Sequence, residues 1–125
     1  LFADPRWRVR NADRSGREAI ISCGVVLDHL RVAMAAGGWQ AHIDRLPSPN
    51  NLEHLASISF EPLDLVTDAE GLRAMAILQR RTDRLPLCCP PAWLSFEPVL
   101  RASIDESVAA LDVLSDELRP QPAHV

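Results

Sequence analysis

The clearest hydrophobic pattern in the sequence is a helical one that begins near residue 15. Ser15 and Glu18 stand three residues apart, which is the spacing of an N-terminal capping box. Apolar or small residues then recur every three or four positions, at Ile20, Cys23, Gly24, Leu27, Leu30 and Met34. Gly37 and Gly38 follow, and a left-handed glycine commonly ends a helix. The pattern predicts one long helix over Ser15–Ala36.

A second apolar row makes this helix hydrophobic on most of its circumference. The row consists of Ile21, Val25, Val32 and Ala35. A helix that is apolar on most sides belongs inside a layer of other elements or at a subunit interface. We therefore expect a central helix, in which Cys23 is a buried, unreactive thiol. Gly24 is expected to let another element approach closely.

Two alternating segments follow the helix and predict strands. Apolar and polar residues alternate over Trp39–Leu46 and again over Leu55–Phe60, with the period of two that a half-buried strand requires. The turn cluster Pro-Ser-Pro-Asn-Asn at 47–51 separates them. The two strands are expected to pair across this turn, although a short helix at Asn51–His54 is an alternative.

The remaining patterns are helical or irregular. Thr67 and Glu70 have capping-box spacing and begin a predicted helix that runs to about Gln79. Ala92–Ala102 is also helical in pattern, with Pro98 as a kink or a division. Ala109–Leu114 fits a helix or a short strand equally well. The mixture of helices and strands predicts an α/β (α+β) fold with a long central helix, short sheet strands and flanking helices.

Composition and charge narrow the classes of function. With 47% hydrophobic and 24% charged residues, the chain is globular rather than disordered. The net charge of −4 gives no support for a nucleic acid partner. Asp28, His29 and Arg31 interrupt the most apolar stretch, so we expect no membrane span. Three cysteines, of which Cys88 and Cys89 are adjacent, suggest reduced thiols and a cytoplasmic protein.

The densest group of candidate binding residues is Arg80-Arg81-Thr82-Asp83-Arg84. Guanidinium groups match phosphate oxygens bidentately, and the hydroxyl adds another donor, so the run is a candidate anion site. The alternative is that the arginines cap the C-terminus of the preceding helix and meet solvent. The four histidines, at 29, 42, 54 and 124, lack metal-ligand spacing, and no metal site is expected.

Several segments together resemble the Acg-type nitroreductases, an actinobacterial family of FMN-binding proteins. Leu1-Phe2-Ala3-Asp4 resembles the strand that leads into that family's central helix. Gly16-Arg17-Glu18, Ser22-Cys23-Gly24 and Leu27 through Leu30-Arg31 resemble the helix itself, and Gly38-Trp39 with Arg45-Leu46-Pro47 resembles the strand and turn after it. The run at 80–84 resembles the nitroreductase pattern Arg-Arg-Ser/Thr-x-Arg, although Leu85 and Pro86 replace the more usual basic or polar residues after it.

The resemblance implies a fold, a cofactor and a set of binding residues. It implies a partial nitroreductase-like domain, with 1–66 as a first half that lacks its start and 67–125 as the beginning of a second half. It also implies that Arg80, Arg81, Thr82 and Arg84 bind the phosphate and ribityl chain of FMN. In the complete family protein, FMN carries electrons from NAD(P)H to an acceptor such as a nitro compound, and no side chain of this sequence is needed as a catalytic acid, base or nucleophile.

The sequence also allows a function that is not catalytic. The chain could be a non-catalytic remnant, a flavin-storage protein or an interaction protein that pairs with a partner to cover its apolar surface. The apolar helix Ser15–Ala36 is the candidate surface for such pairing, including homo-oligomerisation.

Overall fold

The computed structural model describes residues 1–7, 11, 13–82, 90–105 and 107–114. The chain forms two compact units, Leu1–Thr82 and Asp83–Val125. In the first, a 3-10 turn at Pro5–Trp7 precedes helix α1 (Arg17–Ala36), strands β1 (Trp39–Arg45) and β2 (Ala56–Pro62), and helix α2 (Asp68–Gln79). The second contains helix α3 (Trp93–Ala102). Three helices and a two-stranded sheet confirm the predicted α+β class.

Helix α1 begins two residues later than predicted, because a different residue caps it. Gly16 is the N-cap in left-handed conformation (φ 77°), and no N-cap side chain accepts a hydrogen bond. Asp13 Oδ2 instead accepts the hydrogen bond of the Ala19 amide at 2.9 Å. Ser15 Oγ accepts from the Arg17 amide, at 3.3 Å. The predicted Ser15–Glu18 capping box is therefore wrong, since the left-handed glycine moves Ser15 outside the N-cap position.

The C-terminal end of α1 agrees with the prediction. The amides of Gly37 and Gly38 donate to the carbonyl oxygens of Ala33 and Ala35, each at 3.0 Å. Gly38 has a φ of 83°, a conformation that glycine adopts without steric cost. Two glycines thus turn the chain from the helix into β1.

The two strands form the predicted antiparallel hairpin. Ile43 pairs with Ile58 at its centre, and Arg45 with Ala56 near the turn. Ala41 and Ile43 are partly covered while Gln40, His42 and Asp44 are exposed, as the alternation predicts. Residues 51–54 form a turn and an isolated bridge rather than the short helix considered as an alternative.

Helix α2 begins at its predicted capping box, and α3 spans nearly its predicted range. The Thr67 hydroxyl accepts from the Glu70 amide, and the Glu70 carboxylate accepts from the Thr67 amide. Pro98 lies inside α3 without dividing it. The segment at 109–114 is neither helix nor strand; the Leu111 carbonyl oxygen accepts from Arg101 Nη1 at 2.8 Å.

Burial differs most from the prediction. Helix α1 contacts α2 and β1, yet no residue of α1 is buried. Cys23 is partly exposed, and a Cβ added at Gly24 would meet no atom within 4 Å. Both expectations for these residues fail for the same reason, since the neighbouring elements cover α1 on one side only. In the described part of the chain, Ala56 is the one fully buried hydrophobic residue.

Helix α1 is also long and apolar enough to cross a membrane, judged by length and composition alone. Core helices of soluble proteins pass the same test. The charges that led us to expect no span lie on the helix, where Arg31 Nη2 and Asp28 Oδ1 form an ion pair at 2.8 Å. The absence of a membrane partner therefore stays a prediction.

Candidate functional site

The predicted phosphate-binding run begins where α2 ends. Arg80 is the C-cap residue, with an extended conformation (φ −56°, ψ 137°), and its amide donates to the Ala76 carbonyl oxygen at 3.0 Å. Gln79 is the last helical residue because the backbone turns away at Arg80. The run thus lies at a helix C-terminus, the end that carries partial negative charge.

The Arg81 side chain folds back onto this helix end. Its Nη1 atom lies 3.2 Å from the Leu78 carbonyl oxygen, 3.3 Å from that of Gln79 and 3.1 Å from that of Arg80. These carbonyls include groups that a helix leaves without an intrahelical partner. Arg81 therefore makes the capping contact that the sequence offered as the alternative to phosphate binding.

The first three residues of the run are exposed, and the last two lie outside the described residues. Arg80, Arg81 and Thr82 are all exposed. Within the described part of the chain, the Arg80 guanidinium has no side-chain partner. None of the three residues lines the cavity beside the N-terminal end of α1 or the smaller cavity on the hairpin. Arg84 lies outside the described residues. The structure brings three donors together by chain adjacency, and their role in binding FMN stays a prediction.

A cavity that the sequence did not reveal lies beside the N-terminal end of α1. Its volume is about 800 Å³. Among the described residues, the lining includes Asp4, Asp13, Glu18, Glu53 and Cys23 and contains no lysine or arginine. Asp4 forms an ion pair with Arg6, whose Nη2 lies 2.7 Å from Oδ2, and Asp13 caps α1. The described part of the lining is thus acidic, which does not suit a phosphate.

His54 is a second feature that the sequence did not reveal. Its Nδ1 lies 3.1 Å from Ser48 Oγ, and its Nε2 lies 3.0 Å from Ser57 Oγ. The ring stacks on Phe2, with the ring centroids 4.3 Å apart. The partners Phe2, Ser48 and Ser57 come from separate parts of the sequence, so no local motif predicts these contacts. The arrangement fixes the orientation of the ring and fastens residues 1–3 to the hairpin.

One carboxylate has a clearly altered proton affinity. The backbone amide of Thr67, and next its hydroxyl, donate to Glu70 and lower the pKa of that carboxyl below its usual 4.5. Hydrogen bonds of this kind favour the charged form. Among the described residues, no group of three or more His, Cys, Asp or Glu side chains is placed to hold a metal ion.

The chain is similar in sequence to several proteins of Mycobacterium tuberculosis. No family model matches it. An uncharacterized protein of Mycobacterium tuberculosis is 56% identical over 119 residues, which cover 95% of this chain and 35% of the relative. A protein of the same organism named "Putative NAD(P)H nitroreductase acg" is 50% identical over 123 residues, which cover 98% of this chain and 37% of the relative.

A third M. tuberculosis protein, also named a "Putative NAD(P)H nitroreductase", is 46% identical over 91 residues. This match covers 73% of the chain and 26% of the relative. The chain thus spans about a third of the length of the first two relatives and about a quarter of the third.

Proposed function

Because the chain belongs to the Acg-type nitroreductase-like family, we propose that it functions as part of an FMN-binding, NAD(P)H-dependent oxidoreductase. The observation that carries the proposal is the 50% identity, over 98% of the chain, to a protein named as a nitroreductase. When bound, FMN supplies the redox chemistry and passes electrons from NAD(P)H to an acceptor such as a nitro compound. We expect the protein to be cytoplasmic and to have no nucleic acid or membrane partner.

In this proposal the chain binds the phosphate and ribityl chain of FMN through Arg80, Arg81, Thr82 and Arg84. Charge-assisted, bidentate contacts from guanidinium groups suit a phosphate. The exposure of Arg80, Arg81 and Thr82 supports this role, because a ligand can reach Arg80 and Thr82 directly and Arg81 once its guanidinium leaves the end of α2. The residues present therefore fit the phosphate group, and no described side chain is required as an acid or a base.

Flavin titration of the purified protein tests the proposal. Arg81→Ala is expected to weaken FMN binding by about 10- to 150-fold, since a charged hydrogen bond contributes about 1.5–3 kcal/mol. Arg80→Ala is expected to weaken binding similarly. Because the Arg80 guanidinium has no described partner, this variant separates loss of the phosphate contact from loss of the helix cap. Arg45→Ala, which removes an exposed arginine at the end of β1, is the control. Equal flavin affinity in all four proteins would reject the phosphate-binding role.

The exposed side of α1 favours a second candidate function, a module that pairs with itself or with a partner. Ile20, Ile21, Val25 and Val26 are 47%, 56%, 46% and 57% exposed. Contiguous exposed apolar residues mark interaction surfaces. We propose homo-oligomerisation through α1 as the simplest form of this pairing.

Light scattering during size-exclusion chromatography distinguishes the two candidates. A colourless protein that self-associates and ignores added FMN would support the pairing function alone. Val26→Glu is then expected to produce a monomer, because the charge would be buried in the contact. Leu94→Glu, at an 89% exposed position on α3, is the control and is expected to leave the association unchanged. Association that persists in Val26→Glu would exclude α1 as the contact.

A further inference from the structure

The C-terminal end of α2 relies on Arg81. The last turn of α2 contains no basic residue. Of its final carbonyls, that of Ala76 accepts from the Arg80 amide, whereas those of Leu78 and Gln79 accept from Arg81 Nη1. Arg81 is thus both a cation at the negative end of the helix and a donor to carbonyls that the helix itself leaves unpaired.

A phosphate cannot join this arrangement without strain. The carbonyl oxygens of Leu78, Gln79 and Arg80 lie 3.1–3.3 Å from Arg81 Nη1, so a phosphate held by that nitrogen would also approach those oxygens. Anions are disfavoured at helix C-termini and favoured at N-termini. Arg81 Nη1 must therefore leave these carbonyl oxygens before it can donate to a phosphate.

From these contacts we infer that Arg81 is an autoinhibitory cap: it either closes the C-terminus of α2 or binds the FMN phosphate, and flavin binding releases the last turn of the helix. The inference rests on the proposed function. The opposite end of α2 keeps its own cap at Thr67 and Glu70, so the release is confined to the residues around 76–80. The contact lowers flavin affinity because part of the binding free energy is spent on breaking it.

A cation supplied elsewhere in the last turn tests this competition. Leu78→Lys places a positive charge at the helix end, at a position that is 74% exposed. The added charge then shares the capping role of Arg81, and FMN is expected to bind about 2- to 5-fold more tightly, the factor that corresponds to one favourable charge at a helix end. Leu72→Lys is the matched control, because Leu72 is 72% exposed and carries the same added charge. It lies six residues earlier, about 9 Å along the axis, and is expected to change the affinity by less than about 1.5-fold.

Hydrogen exchange of the Arg80 amide gives a second readout. This amide donates to Ala76, so its protection reports the last turn. With saturating FMN, its exchange is expected to accelerate about 2- to 5-fold in the unmodified protein and to change less in Leu78→Lys. Binding of FMN with equal affinity in both lysine variants, or without faster exchange, would overturn the inference and leave the proposed function standing. Failure of every variant to bind FMN would overturn both.

Discussion

The N-terminal ends of α1 and α2 are closed in two different ways. At α2, Thr67 and Glu70 exchange hydrogen bonds within the first turn, where Thr67 is exposed and Glu70 is partly exposed. At α1, the acceptor is Asp13, which stands three residues before the N-cap Gly16 and is 7% exposed. Both helices have the capping-box spacing, at 15 and 18 and at 67 and 70. The difference shows that the spacing produces a cap only where the N-cap residue has extended backbone, as Thr67 has with φ −88° and ψ 156°.

The largest effect is expected at the buried cap of α1. Asp13→Ala should lower the free energy of unfolding by about 1–2 kcal/mol, because the Ala19 amide loses its acceptor at a site that water reaches poorly. Urea denaturation followed by far-UV circular dichroism measures the change. Ser15→Ala is the control and should change the value by less than about 0.5 kcal/mol. A larger loss in Ser15→Ala than in Asp13→Ala would show that Ser15 caps α1 after all.

A smaller effect is expected at the exposed cap of α2. Thr67→Ala should lower the free energy of unfolding by about 1 kcal/mol, since the Glu70 amide loses its hydroxyl acceptor. Thr67→Ser keeps that hydroxyl and serves as the control. The same denaturation measurement applies, and equal stability of the two variants would mean that the hydroxyl contributes nothing.

The smallest expected effect is a pH dependence of the stability that the cap of α2 contributes through Glu70. Hydrogen bonds from Thr67 lower the pKa of Glu70 in the folded protein below the 4.5 of the unfolded chain. The carboxylate therefore contributes stability that is fully present above about pH 4.5 and is lost as the pH falls through the folded pKa. Glu70→Gln keeps the capping geometry without titrating. A comparison of its urea denaturation with that of the unmodified protein between pH 7 and pH 3 should show a difference that shrinks on acidification. A constant difference would contradict this role.

Much of the fold follows from local patterns in the sequence. The long helix, the hairpin, α2 and α3 were predicted to within two residues at most boundaries, because amphipathic period, turn residues and caps are local signals. The glycine pair that predicts the left-handed turn at Gly38 is also a local signal. The helix-or-strand alternatives at 109–114 both failed, because a short apolar pattern does not specify either structure.

The features that depend on distant contacts were harder to predict. The stacking of Phe2 on His54 and the hydrogen bond of Ser48 to the same ring join segments that have no common motif. The expected burial of α1 also failed, since a pattern of apolar residues shows what can be covered but not what covers it. For Arg81 both interpretations were visible in the sequence, and the structure describes the capping contact.

The pairing of Phe2 with His54 has a consequence for folding kinetics. The bridge closes a loop that contains all of α1 and β1. Loop closure of this length costs roughly 3–4 kcal/mol of chain entropy, which local helix and hairpin formation does not require. The N-terminal segment should therefore dock late, after the hairpin has placed His54, and detach first when the chain unfolds.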